Sequence, residues 1–272
     1  MRIIILFFAL TLLGGACSFN NVKEDKSLGH FFKDNQVEGC FASMDNGTGR
    51  FVTYNLSRYR DSSYSPGGSF EIVRSLIALQ TGAISSDSSI FKEEALLVNN
   101  ESMQAWLDSL GYGARNDKER FKIKTSQDSF WLDNSLKVTP DAQLGLIKQL
   151  YFGQLPFFKT YQEMVKRALL KEDNTLYRLG YKTGQAVAAN GNTIGWVVGW
   201  IEENNHANFF VLNIESEKPN SDIETVGVTM VKDILKEQGF FQQVPHHQDL
   251  QGHLNPSAPG PRMNLLSSLR YL

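Results

Sequence analysis

Residues 181–202 restrict the fold of this chain more than any other stretch. Two β-rich runs, one opening at Tyr181 and one spanning Gly195-Trp196-Val197-Val198-Gly199-Trp200, flank Asn190-Gly191-Asn192. That turn signal suits a tight antiparallel hairpin. A third apolar run at 208–214 adds another strand. Side chains alternate between the faces of a strand, so Trp196 and Trp200 share one face and are expected in the core. Lys182-Thr183-Gly184 lies on the first strand. Alone it is a weak signal, because three residues recur by chance and Gly184 would serve equally to end the pairing.

Upstream, residues 40–54 alternate around Asp45-Asn46-Gly47-Thr48-Gly49 and predict a first hairpin. The spacing of Phe70, Val73, Leu76, Ile77 and Leu79 predicts a helix over 70–80, ended by Gly82. Further amphipathic helices are expected at 101–110, 140–151, 160–170 and 225–238, the last closed by Gly239. Strands at both ends with helices grouped between them predict an α+β domain rather than alternating βαβ units. A chain of 272 residues with 42% apolar content buries a substantial core. Its net charge of -2, with no basic stripe, argues against a nucleic-acid partner.

The two ends have a different texture. Arg2, the apolar run 3–13 and Gly14-Gly15-Ala16 read as an export signal over 1–16, too short to span a bilayer comfortably. Cys17 after three small residues resembles the lipidation site of bacterial lipoproteins, although Gly14 stands where such sites carry leucine. The expectation is an exported protein, periplasmic or lipid-anchored to a bacterial membrane through Cys17. Only Cys40 then keeps a free thiol, which excludes an intrachain disulfide. Residues 17–35 are polar and charged and read as a tether, which leaves 36–242 for the domain. From 243 to 272 a polar segment rich in proline and histidine reads as a disordered tail. His246, His247 and His253 have no fixed scaffold there, so no metal site and no cofactor are expected.

Several blocks together resemble the class D serine β-lactamases, the oxacillinase family, within the wider penicillin-binding transpeptidase group. Val37-Glu38-Gly39-Cys40-Phe41 with Tyr54-Asn55 is similar to the family's opening hairpin. Ser65-Pro66-Gly67-Gly68-Ser69-Phe70-Glu71-Ile72, running into 75–82, resembles the helix that carries its Ser-Thr-Phe-Lys motif. Tyr112-Gly113-Ala114 resembles its Tyr-Gly-Asn, and Phe130-Trp131-Leu132 with Ser135-Leu136-Lys137-Val138 its following loop. Lys182-Thr183-Gly184 and 195–200 complete the order. The resemblance covers about 30–242 and implies a penicillin-binding α+β fold, with a central antiparallel sheet and helices on both faces. It also implies a β-lactam or cell-wall peptide ligand, bound near Lys182, Thr183, Gly184, Tyr112 and Trp131.

The departures fall on the chemistry. The family uses a serine at the start of the helix and, one turn later, a lysine whose carbamate acts as general base. In this register Gly68 takes the nucleophile position, Ser69 the threonine position and Glu71 the lysine position. Glycine has nothing to acylate, and glutamate has no amine to carboxylate. The segment between Gly82 and Tyr112 is shorter than in the family, and no Ser-x-Val occurs anywhere in the chain. The one other Ser-x-x-Lys, Ser89-Ile90-Phe91-Lys92, falls where the family has a loop.

The expected function is therefore penicillin recognition with acyl-enzyme hydrolysis lost or severely reduced. One alternative is residual β-lactamase activity through Ser69 or Glu71. Another is a non-catalytic sensor or interaction lipoprotein. Ser69 is expected as an early-turn residue facing away from Lys182, since one residue turns a helix by about 100°. Glu71 is expected to be solvated or paired with Lys182, and Trp131 to serve as core packing.

Overall fold

The computed structural model describes residues 22–92, 98–113, 121–124, 130–218 and 222–242. The expected export signal, Cys17, Ala114 and the tail at 243–272 lie outside the described residues. The strands are β1 Val22–Glu24, β2 Glu38–Asp45, β3 Phe51–Tyr54, β4 Leu170–Asp173, β5 Tyr177–Val187, β6 Thr193–Glu203 and β7 His206–Ser216. They form one sheet in the order β1-β3-β2-β7-β6-β5-β4. Each neighbouring pair is antiparallel except β1 with β3, which run parallel at the rim. The helices are α1 Gly29–Asp34, α2 Leu56–Asp61, α3 Glu71–Thr81, α4 Asn100–Leu110, α5 Pro140–Tyr151, α6 Lys159–Leu169 and α7 Ile223–Glu237.

The predicted hairpins form around the turns that announce them. β5 and β6 pair from Tyr177↔Glu203 to Val187↔Thr193, closing on the Asn190-Gly191 turn. β6 and β7 are buried along almost their whole length, and period-two alternation divides their side chains between two cores. Trp196, Val198 and Trp200 with Phe209 and Val211 pack beneath α3, α4, α5 and α6. Val197, Ile201, Phe210, Leu212 and Ile214 pack against Ile223, Met230, Val231, Ile234 and Leu235, all from α7. Each such fully buried side chain contributes about 1.5–3 kcal/mol. The sheet is thus held between helical layers on both faces.

The helices begin and end where their caps dictate. α3 stops at Gly82, which adopts φ 76. α4 starts at Asn99, whose side chain accepts the Ser102 N–H, and α5 at Thr139, which accepts from Ala142 N–H ahead of Pro140.

The tether expected at 17–35 is corrected over its described part. β1 pairs with β3 through Val22↔Phe51, Lys23↔Val52 and Glu24↔Thr53, and Asp25 caps a 3-10 turn at Lys26–Leu28. Leu28 and Phe32, four residues apart on successive turns, are both buried, and Phe32 stacks on Tyr54 at 4.5 Å. The charged side chains that suggested a loose arm face solvent at the sheet edge, while two apolar anchors fasten the segment.

Gly180 shows how tightly β5 and β6 are matched. It lies opposite Trp200, and a Cβ there would stand 2.3 Å from the indole Cζ2. Gly180→Ala is predicted to lower the free energy of urea unfolding by about 2 kcal/mol. Gly145, on α5 with no neighbour near its Cβ position, is the control. Gly145→Ala should instead raise stability by about 0.5–1 kcal/mol through helix propensity.

Candidate active-site cleft

Pro66 leads into a 3-10 turn, Gly67–Phe70, which runs directly into α3. The turn lies on β5 with its backbone in contact. Gly67 adopts φ +54, and a Cβ on it would meet the Gln185 carbonyl oxygen at 2.2 Å. From the strand side, a Cβ on Gly184 would reach Ser69 N at 2.5 Å and Pro66 O at 2.7 Å. Only glycine at both places permits this approach. β4 pairs with β5 no further than Gly180, so the edge of β5 beyond it is open to the turn.

The loop after Phe130 holds the turn from behind. Trp131 O accepts the Gly67 N–H at 3.0 Å and the Ser65 hydroxyl at 2.6 Å, and Trp196 Nε1 donates to Ser65 O at 2.9 Å. Asn134 Nδ2 donates to Val187 O at 2.6 Å, which fastens the same loop to the far end of β5.

This packing places Gly68 against the Lys182-Thr183-Gly184 strand. A Cβ at Gly68 would stand 3.2 Å from Thr183 O, 3.4 Å from Gly184 Cα and 3.7 Å from Lys182 Nζ. The position to which the sequence assigned a nucleophile therefore faces the Lys182 ammonium, and it carries a hydrogen. Glu71, one turn on, reaches the same lysine, with its Oε2 3.0 Å from Nζ. Its other oxygen is 3.7 Å from Arg74 Nη2. Lys182 also donates to Thr183 O at 3.3 Å. Thr183, the next residue of β5, is half-buried.

Ser69 points into the protein. It is fully buried, its hydroxyl donates to Pro66 O at 2.7 Å, and it accepts from Gln143 Nε2 at 2.7 Å. Gln143 Oε1 in turn lies 3.5 Å from the Tyr112 hydroxyl, whose ionisation burial pushes well above the ordinary tyrosine range. Tyr112 and Trp131 both sit in the core around Phe70. The Trp131 ring stacks on Phe70 at 5.4 Å and the Tyr112 ring lies 5.8 Å from it.

Three residues of the cleft had no role in the sequence reading. Phe91 places its ring 5.6 Å from Lys182 Nζ, at φ 62, and donates its N–H to Ser75 Oγ at 3.2 Å. It belongs to the Ser89-Ile90-Phe91-Lys92 run, whose serine is half-buried and whose lysine is exposed. Arg74 lies over the Trp131 ring at 5.4 Å. Burial lowers its pKa from the ordinary arginine value, against the pull of Glu71. Gln143 projects from α5 to Ser69 across 74 positions of sequence. Only the i,i+3 spacing of Glu71 and Arg74 was readable in advance. Among the described residues no group of histidine, cysteine and carboxylate side chains could hold a metal ion.

This arrangement matches known proteins. The profile of the penicillin binding protein transpeptidase domain matches residues 86–236, more than half of the chain. The β-lactamase OXA-48 of Klebsiella pneumoniae is 26% identical over 271 residues, covering 88% of this chain and 98% of its own length. The probable β-lactamase YbxI of Bacillus subtilis (strain 168) is 28% identical over 240 residues, covering 77% and 84%. The crystal structure of the class D β-lactamase YbXI from Nostoc superposes with a TM-score of 0.69 at 27% identity, over 79% of this chain and 99% of that one. The turn-on-strand cleft, the helices on both sides of the sheet and these likenesses agree: the chain belongs to the penicillin-binding transpeptidase domain family, on its class D serine β-lactamase-like branch.

Proposed function

We propose that this chain recognises penicillin-like ligands without forming or hydrolysing an acyl-enzyme. What remains is weak, non-covalent recognition of a β-lactam or cell-wall peptide carboxylate at Lys182-Thr183-Gly184. The observation that carries this reading is the Cβ position of Gly68, 3.7 Å from Lys182 Nζ. An attacking hydroxyl would stand there, and glycine supplies none. Covalent catalysis of this kind needs a nucleophile within hydrogen-bond reach of a base. With Gly68 and Glu71 at the two positions, neither partner exists.

The alternatives through Ser69 and Glu71 meet physical obstacles. Ser69 gives its proton to a backbone carbonyl rather than to a base, and freeing it would break two hydrogen bonds in a dry core. Glu71 directs its oxygens at two cations, Lys182 and Arg74. A ligand carboxylate must displace Glu71 from Lys182 before it can form its own charge-assisted bond, which keeps affinity low.

Intact-protein mass after exposure to a penicillin tests the reading wherever an attacking atom lies. The expected result is an unchanged mass, with turnover of a chromogenic cephalosporin at background in both the parent chain and Ser69→Ala. An adduct, or turnover abolished by Ser69→Ala, would overturn it. The double variant Gly68→Ser, Glu71→Lys asks whether the rest of the cleft is sound. Little or no covalent labelling is expected, because the Ser-x-Val element remains missing. Full labelling would show that the damage stops at these two residues.

A further inference from the structure

Gly145 stands in the middle of α5, where glycine is less favourable than alanine by about 0.5–1 kcal/mol. Packing does not ask for it, since nothing lies within 4 Å of the place its Cβ would take. The space beside it is a groove of about 530 Å³. That volume falls within the range of roughly 300–1,000 Å³ usual for sites that hold small molecules. Asp141, Ala142, Gly145, Lys148 and Gln149 line it from α5, at spacings that share one helix face. Met44 of β2, Phe51 of β3, Leu110 of α4 and Leu155 give it apolar walls. Gln143, two residues before Gly145, is turned away by about 200° and meets Ser69. The groove and the Lys182 cleft therefore use opposite sides of α5.

Two charged side chains line the groove, Asp141 and Lys148. Asp141 is exposed and accepts the Tyr59 hydroxyl at 2.6 Å through one oxygen. A carboxylate has two oxygens, so capacity to accept remains. Lys148 is half-buried, and among the described residues its ammonium donates only to Met44 Sδ, at 3.6 Å. A thioether is a weak acceptor, and an ammonium has three protons to place. Seven residues at 1.5 Å each separate the two positions by about 10.5 Å along the helix.

We propose that this groove binds a short free peptide with apolar side chains, its amino group at Asp141, its carboxylate at Lys148 and its middle over Gly145. Extended chain covers about 3.3–3.6 Å per residue, so roughly three residues span the two charges. Each end then makes a charge-assisted hydrogen bond, and the side chains lie against Met44, Phe51, Leu110 and Leu155. A fatty acid would satisfy Lys148 but bring its apolar end against the Asp141 carboxylate, which loses hydration without gaining a partner. The site is separate from Lys182-Thr183-Gly184 and stands whether or not the protein binds penicillin.

Calorimetric titration of the full chain with tri-leucine tests the proposal, with N-acetylated tri-leucine, tri-leucine amide and laurate as comparisons. Tri-leucine should bind along a saturating curve. Capping either end, or Lys148→Met, should weaken it by about ten-fold or more, the value of a hydrogen bond to a charged group. Gly145→Leu fills the groove and should abolish binding, while its melting temperature stays at or above that of the parent chain. Tri-leucine that does not saturate the protein would overturn the proposal, as would undiminished affinity in Gly145→Leu. Capped peptides that bind as well as the free one would contradict the end-to-end placement. Laurate binding where tri-leucine fails would assign the groove to a lipid instead. The capped peptides need no variant, so the result does not hang on the folding of a substituted chain.

Discussion

The 3-10 turn at Gly67–Phe70 lies on β5 with no side chain between the two backbones, and every contact in the cleft follows from that approach. Gly67 and Gly184 make it possible from opposite sides. Once the turn is seated, the first residue of α3 must project towards Lys182, and the residue at 68 must face its ammonium. The serine at 69 must turn inward, where Gln143 receives it. Trp131 and Trp196 hold the turn in this seat through the Ser65 hydroxyl, the Ser65 carbonyl and the Gly67 N–H. The turn is thus seated on the strand by its backbone, with Gly68 facing the Lys182 ammonium.

What occupies the cleft instead is an ion pair. Among the described residues Glu71 pairs with Lys182, and its carboxylate, 3.0 Å from Nζ, stands where the proposed reading would seat a ligand's own carboxylate. Phe91 adds an apolar cover over the same ammonium, held in a left-handed backbone conformation that bulky residues seldom adopt. Its hydrogen bond to the buried Ser75 helps to stabilise that conformation. The described cleft holds a paired carboxylate and ammonium, with Arg74 further from Glu71 at 3.7 Å.

Much of the fold was legible because it rests on local signals. The Asn190-Gly191 turn marks the central hairpin, Gly82 ends α3, and the even spacing of Trp196 and Trp200 places both in one core. The segment before residue 36 was misread because its lysines and acids outnumber Leu28 and Phe32, although those two residues decide whether it is held down. In the site, the places of Gly68 and Glu71 beside Lys182 were readable from their positions in a motif, and the pairing of Glu71 with Lys182 as one of two outcomes. The Ser69–Gln143 bond and the placement of Phe91 were not readable. Both depend on tertiary contacts with no spacing rule, and the φ 62 of Phe91 is not signalled by a glycine.

The central claim is that Glu71 holds Lys182 within the folded cleft. A double-mutant cycle on urea unfolding, using Glu71→Gln, Lys182→Met and the pair, measures that interaction directly. The account predicts a favourable coupling of about 1 kcal/mol or more between the two positions. Effects that simply add, within roughly 0.3 kcal/mol, would contradict it.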